Sequence, residues 1–145
     1  MDKRGVFSRV LAIAGTVLAW LPLAAPLVFA FASLASDGRF RFDYLMPAEV
    51  FPVALVAGAV LLAAAILARA YVRWIAASLA AAVLLLVASQ AIAWFTGLAT
   101  GRIEAAGWPW ALTLAALVGY ELAVAALGVG GALLIRGLFR KPSVT

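Results

Sequence analysis

The sequence predicts an all-α integral membrane protein, with four transmembrane helices in an up-down bundle that forms a single domain over residues 1–145. Three observations predict it. Hydrophobic residues make up 68% of the chain and charged residues only 12%, with a mean hydropathy of +1.15, whereas a soluble domain keeps about 25% charged residues to wet its surface. The apolar residues gather in four runs, about 10–35, 50–68, 74–98 and 110–135, each near or above the ~20 residues a helix needs to cross ~30 Å of hydrocarbon. Basic residues gather outside alternate ends of those runs. Strands are excluded because an open sheet edge in lipid leaves backbone groups unpaired.

The first run follows Lys3, Arg4 and Arg9 and contains Pro22 and Pro26. A basic start, an apolar run and the small residues Ala32-Ser33-Leu34-Ala35-Ser36 resemble a secretory signal. The run is longer than the 7–15 residues of a signal core, however, so a retained helix is expected. The prolines are four apart and share one helix face, where each removes a backbone donor and favours a kink. Trp20 beside them lies too deep for an interface anchor and is expected to pack in the core. The second run opens at Met46-Pro47-Ala48-Glu49-Val50-Phe51-Pro52, with Pro47 or Pro52 in the first turn and Glu49 near the positive helix end. Runs two and three have almost no polar break. As one helix they would extend roughly 70 Å, far beyond a bilayer, so the chain must reverse at Arg69-Ala70-Tyr71-Val72-Arg73. The fourth run is entered near Pro109.

This even-numbered topology sorts the charges. Lys3, Arg4, Arg9, Arg69, Arg73, Arg136, Arg140 and Lys141 fall on one side. Arg39, Arg41 and Arg102 fall on the other, diluted by Asp37, Asp43, Glu49 and Glu104. Short loops retain Lys and Arg on the cytoplasmic side, so both termini are expected in the cytoplasm, in a bacterial cytoplasmic membrane. The net charge of +5 then needs no nucleic acid. These cations meet anionic headgroups instead. Each half of the chain holds one helical hairpin, and Gly38-Arg39 and Gly101-Arg102 follow the first and third runs. Two duplicated hairpins would give this pattern, and so would any two hairpins crossing one bilayer.

Glu121 is the sharpest candidate for function. It lies roughly 18 Å into the fourth helix, near mid-bilayer, where an acid must face the bundle interior or water and find a partner. Gln90 on the third helix is the expected partner. Tyr120, Thr16 and the carbonyls freed at Pro22 and Pro26 are the other choices. As a functional group Glu121 is a proton or cation site. As a packing group it is a protonated acid joining two helices by hydrogen bonds. Gly119, Ala123, Ala126 and Gly130 form a small-residue row on the same helix, with Gly128 and Gly131 nearby, and Ala54, Gly58 and Ala65 form one on the second. Such rows permit close approach, and packing within one chain is the first expectation.

The first loop alternates charge and ring through Arg39-Phe40-Arg41-Phe42-Asp43-Tyr44. Asp43 and Glu49 are a candidate carboxylate pair, more simply read as balancing Arg39 and Arg41. Trp94, Phe95, Trp108 and Trp110 are expected to form an aromatic belt on that side. With no His and no Cys, imidazole catalysis, thiol chemistry and thiolate metal sites are absent, no metal-ligand cluster stands in the sequence, and neither a metal nor a cofactor is expected. The small four-helix multidrug exporters have a similar size, but they carry their essential Glu in helix 1, which here has no acid. Two function classes remain. One is a non-enzymatic accessory or assembly subunit acting through helix and loop contacts, its partner a membrane protein or a second copy of the chain. The other is a small proton- or cation-coupled transporter or channel centred on Glu121.

Overall fold

The structure, a computed structural model, describes residues 3–38, 51–104 and 106–140. Its elements are α1 (Lys3–Asp37), α2 (Phe51–Ala68), α3 (Val72–Phe95) and α4 (Gly107–Phe139), and each is long and apolar enough to cross a membrane. The protein is an all-helical, membrane-embedded bundle. α1 has 35 residues and α4 has 33, so both reach about 50 Å at 1.5 Å per residue. They continue as helix through the basic flanks predicted to lie outside the apolar runs, because Lys and Arg are good helix formers. α3 stops at Phe95, short of the expected Leu98.

Two helix stops and one loop turn are readable residue by residue. Gly38 (φ +63°) ends α1, its N–H donating to the Leu34 carbonyl at 3.1 Å. After α3, Gly101 (φ +70°) closes a turn in which the Arg102 N–H donates to the Gly97 carbonyl at 3.0 Å and the Gly101 N–H to Leu98 at 3.3 Å. Both positions need the left-handed conformation that glycine adopts without penalty. That local need accounts for the glycine of each repeated Gly-Arg pair. The α2–α3 reversal uses the same bonding pattern without glycine. Ala70 N–H donates to the Ala65 carbonyl at 3.1 Å and Arg69 N–H to Ile66 at 3.2 Å, while Arg69 (φ +53°) and Tyr71 (φ +58°) both take left-handed backbone. The reversal falls where the bilayer-length argument requires it.

α1 packs along α2 and α3 packs along α4, and the two pairs join mainly through α1 and α4. α2 meets α3 less extensively. This places the α1 start, the α2–α3 turn and the α4 end together at what we call the terminal end. There the Arg9 guanidinium lies 5.0 Å over the Phe139 ring. The opposite, loop end holds Gly38, Phe51, residues 96–104, residue 106 and the start of α4. Pro52 and Pro109 both sit in first helical turns, where a missing N–H costs nothing.

Small residues set the interhelical distances. A Cβ on Gly131 would overlap Thr16 Oγ1 of α1, and one on Gly128 would come within 2.8 Å of the Trp20 ring. Gly130 faces Trp74 and Ile75 of α3, Gly119 faces Leu85, and Gly58 of α2 faces Leu79 of α3. The small-residue rows are therefore used within the chain, as expected. Trp20, expected in the core, is instead exposed at 43%, with only its ring edge against Gly128 of α4. The core divides into an alanine-rich cluster toward the terminal end, around Leu61, Ile75, Leu127 and Leu134. A second cluster, around Tyr120, Leu86 and Val124, lies toward the loop end. Large apolar side chains such as Val28, Phe31, Leu84 and Leu122 point outward, as a lipid-facing surface requires.

Candidate functional site

Glu121 lies near the middle of α4, half-buried at the margin of its packed face. Its neighbour Tyr120 is fully buried among Ala54, Ala82, Leu86, Ala123 and Val124. The Phe51 ring stands 6.4 Å from the Tyr120 ring. Among the described residues, the Tyr120 hydroxyl is a buried polar atom with no hydrogen-bond partner. A phenol in that condition forgoes a bond it would make in water, and its surroundings are otherwise apolar.

The expected Glu121–Gln90 bond does not form, and register explains why. Gly119 faces Leu85 and Gly130 faces Ile75, so the antiparallel α3–α4 pair sets Glu121 level with about Val83. Gln90 lies roughly seven residues, or about 10 Å, nearer the loop end. It is also rotated away from the core, being exposed on α3 while Leu86, Ser89 and Ala93 are buried. On the α1 side Thr16 faces Gly131 and Trp20 faces Gly128. Thr16 is thus far from Glu121, and its hydroxyl donates to the Ala12 carbonyl at 2.7 Å. The same register carries Pro26 to the level of Glu121. Pro22 and Pro26 are both buried, and because Pro26 has no N–H the Pro22 carbonyl lacks its helical donor near that level.

Other hydroxyls are held locally. Ser33, Ser89 and Thr113 each donate to a carbonyl three or four residues back in their own helix, the usual way a membrane helix satisfies them. One long-range polar contact was not foreseen. The Trp74 Nε1–H donates to the Ala126 carbonyl oxygen at 2.9 Å, stapling α3 to α4 beside Gly130. Nothing in the sequence distinguishes Trp74 from the interface tryptophans, because only the absence of a Cβ at Gly130 lets the indole approach.

Gln90 instead forms the wall of a cavity of about 530 Å³ between α2 and α3, lined by Phe51, Leu86, Val87, Gln90, Ala91 and Trp94. The weak α2–α3 packing leaves this crevice, and the sequence carried no signal for it. At the loop end Phe95 is 92% exposed, Trp94 70% and Trp108 68%, while Trp110 is half-buried. Arg39, Arg41, Asp43 and Glu49 lie outside the described residues, as do Phe40, Phe42 and Tyr44. Among the described residues, no three potential metal-binding side chains gather. No family model matches the chain, and no curated protein and no solved structure matches it either.

Proposed function

We propose that this protein is a non-enzymatic accessory or assembly subunit that binds a partner membrane protein at its loop end. The observation that carries the reading is the display of three large rings there, Trp94, Phe95 and Trp108, all mostly exposed. Aromatic residues anchor membrane interfaces, and they also dominate the energetics of protein interfaces. The interior supports the same reading. The small-residue faces are consumed in internal packing, and Glu121 and Gln90 sit at different levels on different faces, so they do not line a shared polar path. We place both termini in the cytoplasm of a bacterial cell and the loop end outside, on the strength of the basic residues at the terminal end. There they meet anionic headgroups.

A photo-crosslinking residue at Trp108 in native membranes tests this. A discrete protein adduct that is absent when the crosslinker replaces lipid-facing Leu122 is the expected result. Lipid adducts alone would remove the reading.

A second reading is favoured by one specific feature, mid-helix Glu121 standing next in sequence to Tyr120, whose buried hydroxyl has no hydrogen-bond partner among the described residues. A transporter or channel would use this pair to pass protons or cations. Proteoliposomes holding the natural chain should then show a cation or proton flux that Glu121→Gln abolishes. Flux that survives the substitution rejects Glu121 as its centre.

A further inference from the structure

The crevice between α2 and α3 has a polarity order along the membrane normal. At the loop end stands Trp94, whose indole has one N–H donor. One turn deeper on the same face of α3 is Gln90, and Val87 and Leu86 follow, with Phe51 of α2 opposite. Trp94 marks the interface, so Gln90 lies about 6 Å below it, inside the edge of the hydrocarbon. Among the described residues Gln90 makes no hydrogen bond within the chain, and its amide offers two donors and one acceptor. An unpaired amide at that depth is costly, and water is scarce there. A mostly open groove of about 530 Å³ lies beside it.

The occupant must bring an apolar body together with a hydrogen-bond acceptor at this depth. A transmembrane helix fits poorly, because its own backbone groups are internally satisfied and it can offer Gln90 only a side chain. A diacyl lipid fits well. Its ester carbonyls are acceptors just below the headgroup, and its chains continue directly into the hydrocarbon. We propose that the α2–α3 crevice is a lipid-binding site. One acyl chain lies against Val87, Leu86 and Phe51, and the ester carbonyl accepts from the Gln90 amide. This inference requires only that the bundle is embedded in a membrane; it shares Trp94 with the loop-end display, and its acyl-chain contacts at Gln90, Val87 and Leu86 lie deeper.

The full chain in vesicles of phosphatidylethanolamine and phosphatidylglycerol, with a small fraction of phosphatidylethanolamine bearing a diazirine in one acyl chain, provides the test. Irradiation followed by peptide mass spectrometry should place adducts on Phe51 and residues 86–94 at about threefold or more over Phe31 and Leu122, the preference one amide hydrogen bond in a membrane provides. Gln90→Leu and the crevice-filling Ala91→Trp should each bring labelling down to the level at Phe31 and Leu122. Ala91→Trp keeps the test valid if Gln90→Leu fails to insert. Uniform labelling of all outward faces, or crevice labelling unchanged by both substitutions, overturns the proposal. Crevice labelling below that of Phe31 overturns it too, in favour of a protein or a second copy covering this face.

Discussion

At Gly131 a single missing methyl decides how closely α1, α2 and α4 approach. An added Cβ would meet Thr16 Oγ1 and lie 3.1 Å from a Leu61 methyl, and neither the Thr16 hydroxyl, bonded to Ala12, nor the fully buried Leu61 has room to yield. Gly131→Ala is expected to destabilise the bundle by about 1–3 kcal/mol, the usual cost of overpacking. Gly5→Ala, where nothing lies within 4 Å, should leave stability unchanged or raise it slightly. Thermal unfolding of both variants in the same detergent checks the pair, and equal midpoints would contradict the packing argument. Trp74→Phe keeps most of the ring but loses the bond to Ala126. It should cost about 0.5–1.5 kcal/mol on the same assay.

At the scale of elements, the α2–α3 turn is the part most open to improvement. Arg69 and Tyr71 both hold left-handed backbone, a conformation that costs an L-residue roughly 1–2 kcal/mol. Arg69→Gly is therefore expected to maintain stability or raise it by up to about 1 kcal/mol, with the unfolding midpoint unchanged or higher, since glycine enters this region freely. Tyr71→Ile should lower it, because a β-branched side chain is worst there. A midpoint that falls in Arg69→Gly and holds in Tyr71→Ile would show that the turn is stabilised by its side chains and not limited by its backbone. The reversal itself was legible in the sequence, since a bilayer cannot hold a helix spanning both runs. Its bonding pattern was not, because arginine is an unusual residue at a position that glycine normally fills.

At the scale of the whole molecule, the absence of cysteine makes topology directly measurable. Gly5→Cys at the terminal end and Ala99→Cys at the loop end are single reporters on opposite sides of the bundle. In intact cells a membrane-impermeant maleimide is expected to label Ala99→Cys promptly, and Gly5→Cys only after permeabilisation. The reverse pattern would invert the proposed orientation. Equal labelling of both would indicate chains inserted in both directions, which the basic residues gathered at one end should prevent.

The sequence by itself determined the helix count, the reversal at residues 69–73 and the gathering of basic residues at one end. Each of these follows from one dimension, the length of apolar chain measured against a bilayer of known thickness. Only the tertiary structure decided which polar residues meet. Gln90 and Glu121 were plausible partners by depth alone, yet depth leaves open both the rotation of each helix and the register between helices. Those were decided by where Gly58, Gly119, Gly128, Gly130 and Gly131 admit a neighbouring side chain. A row of small residues fits many partners equally well, so the sequence could announce close packing without saying against what. The α2–α3 crevice has the same origin. The four helices pack in an order that leaves those two less engaged than the α1–α2, α3–α4 and α1–α4 pairs, and that is a property of the assembled bundle.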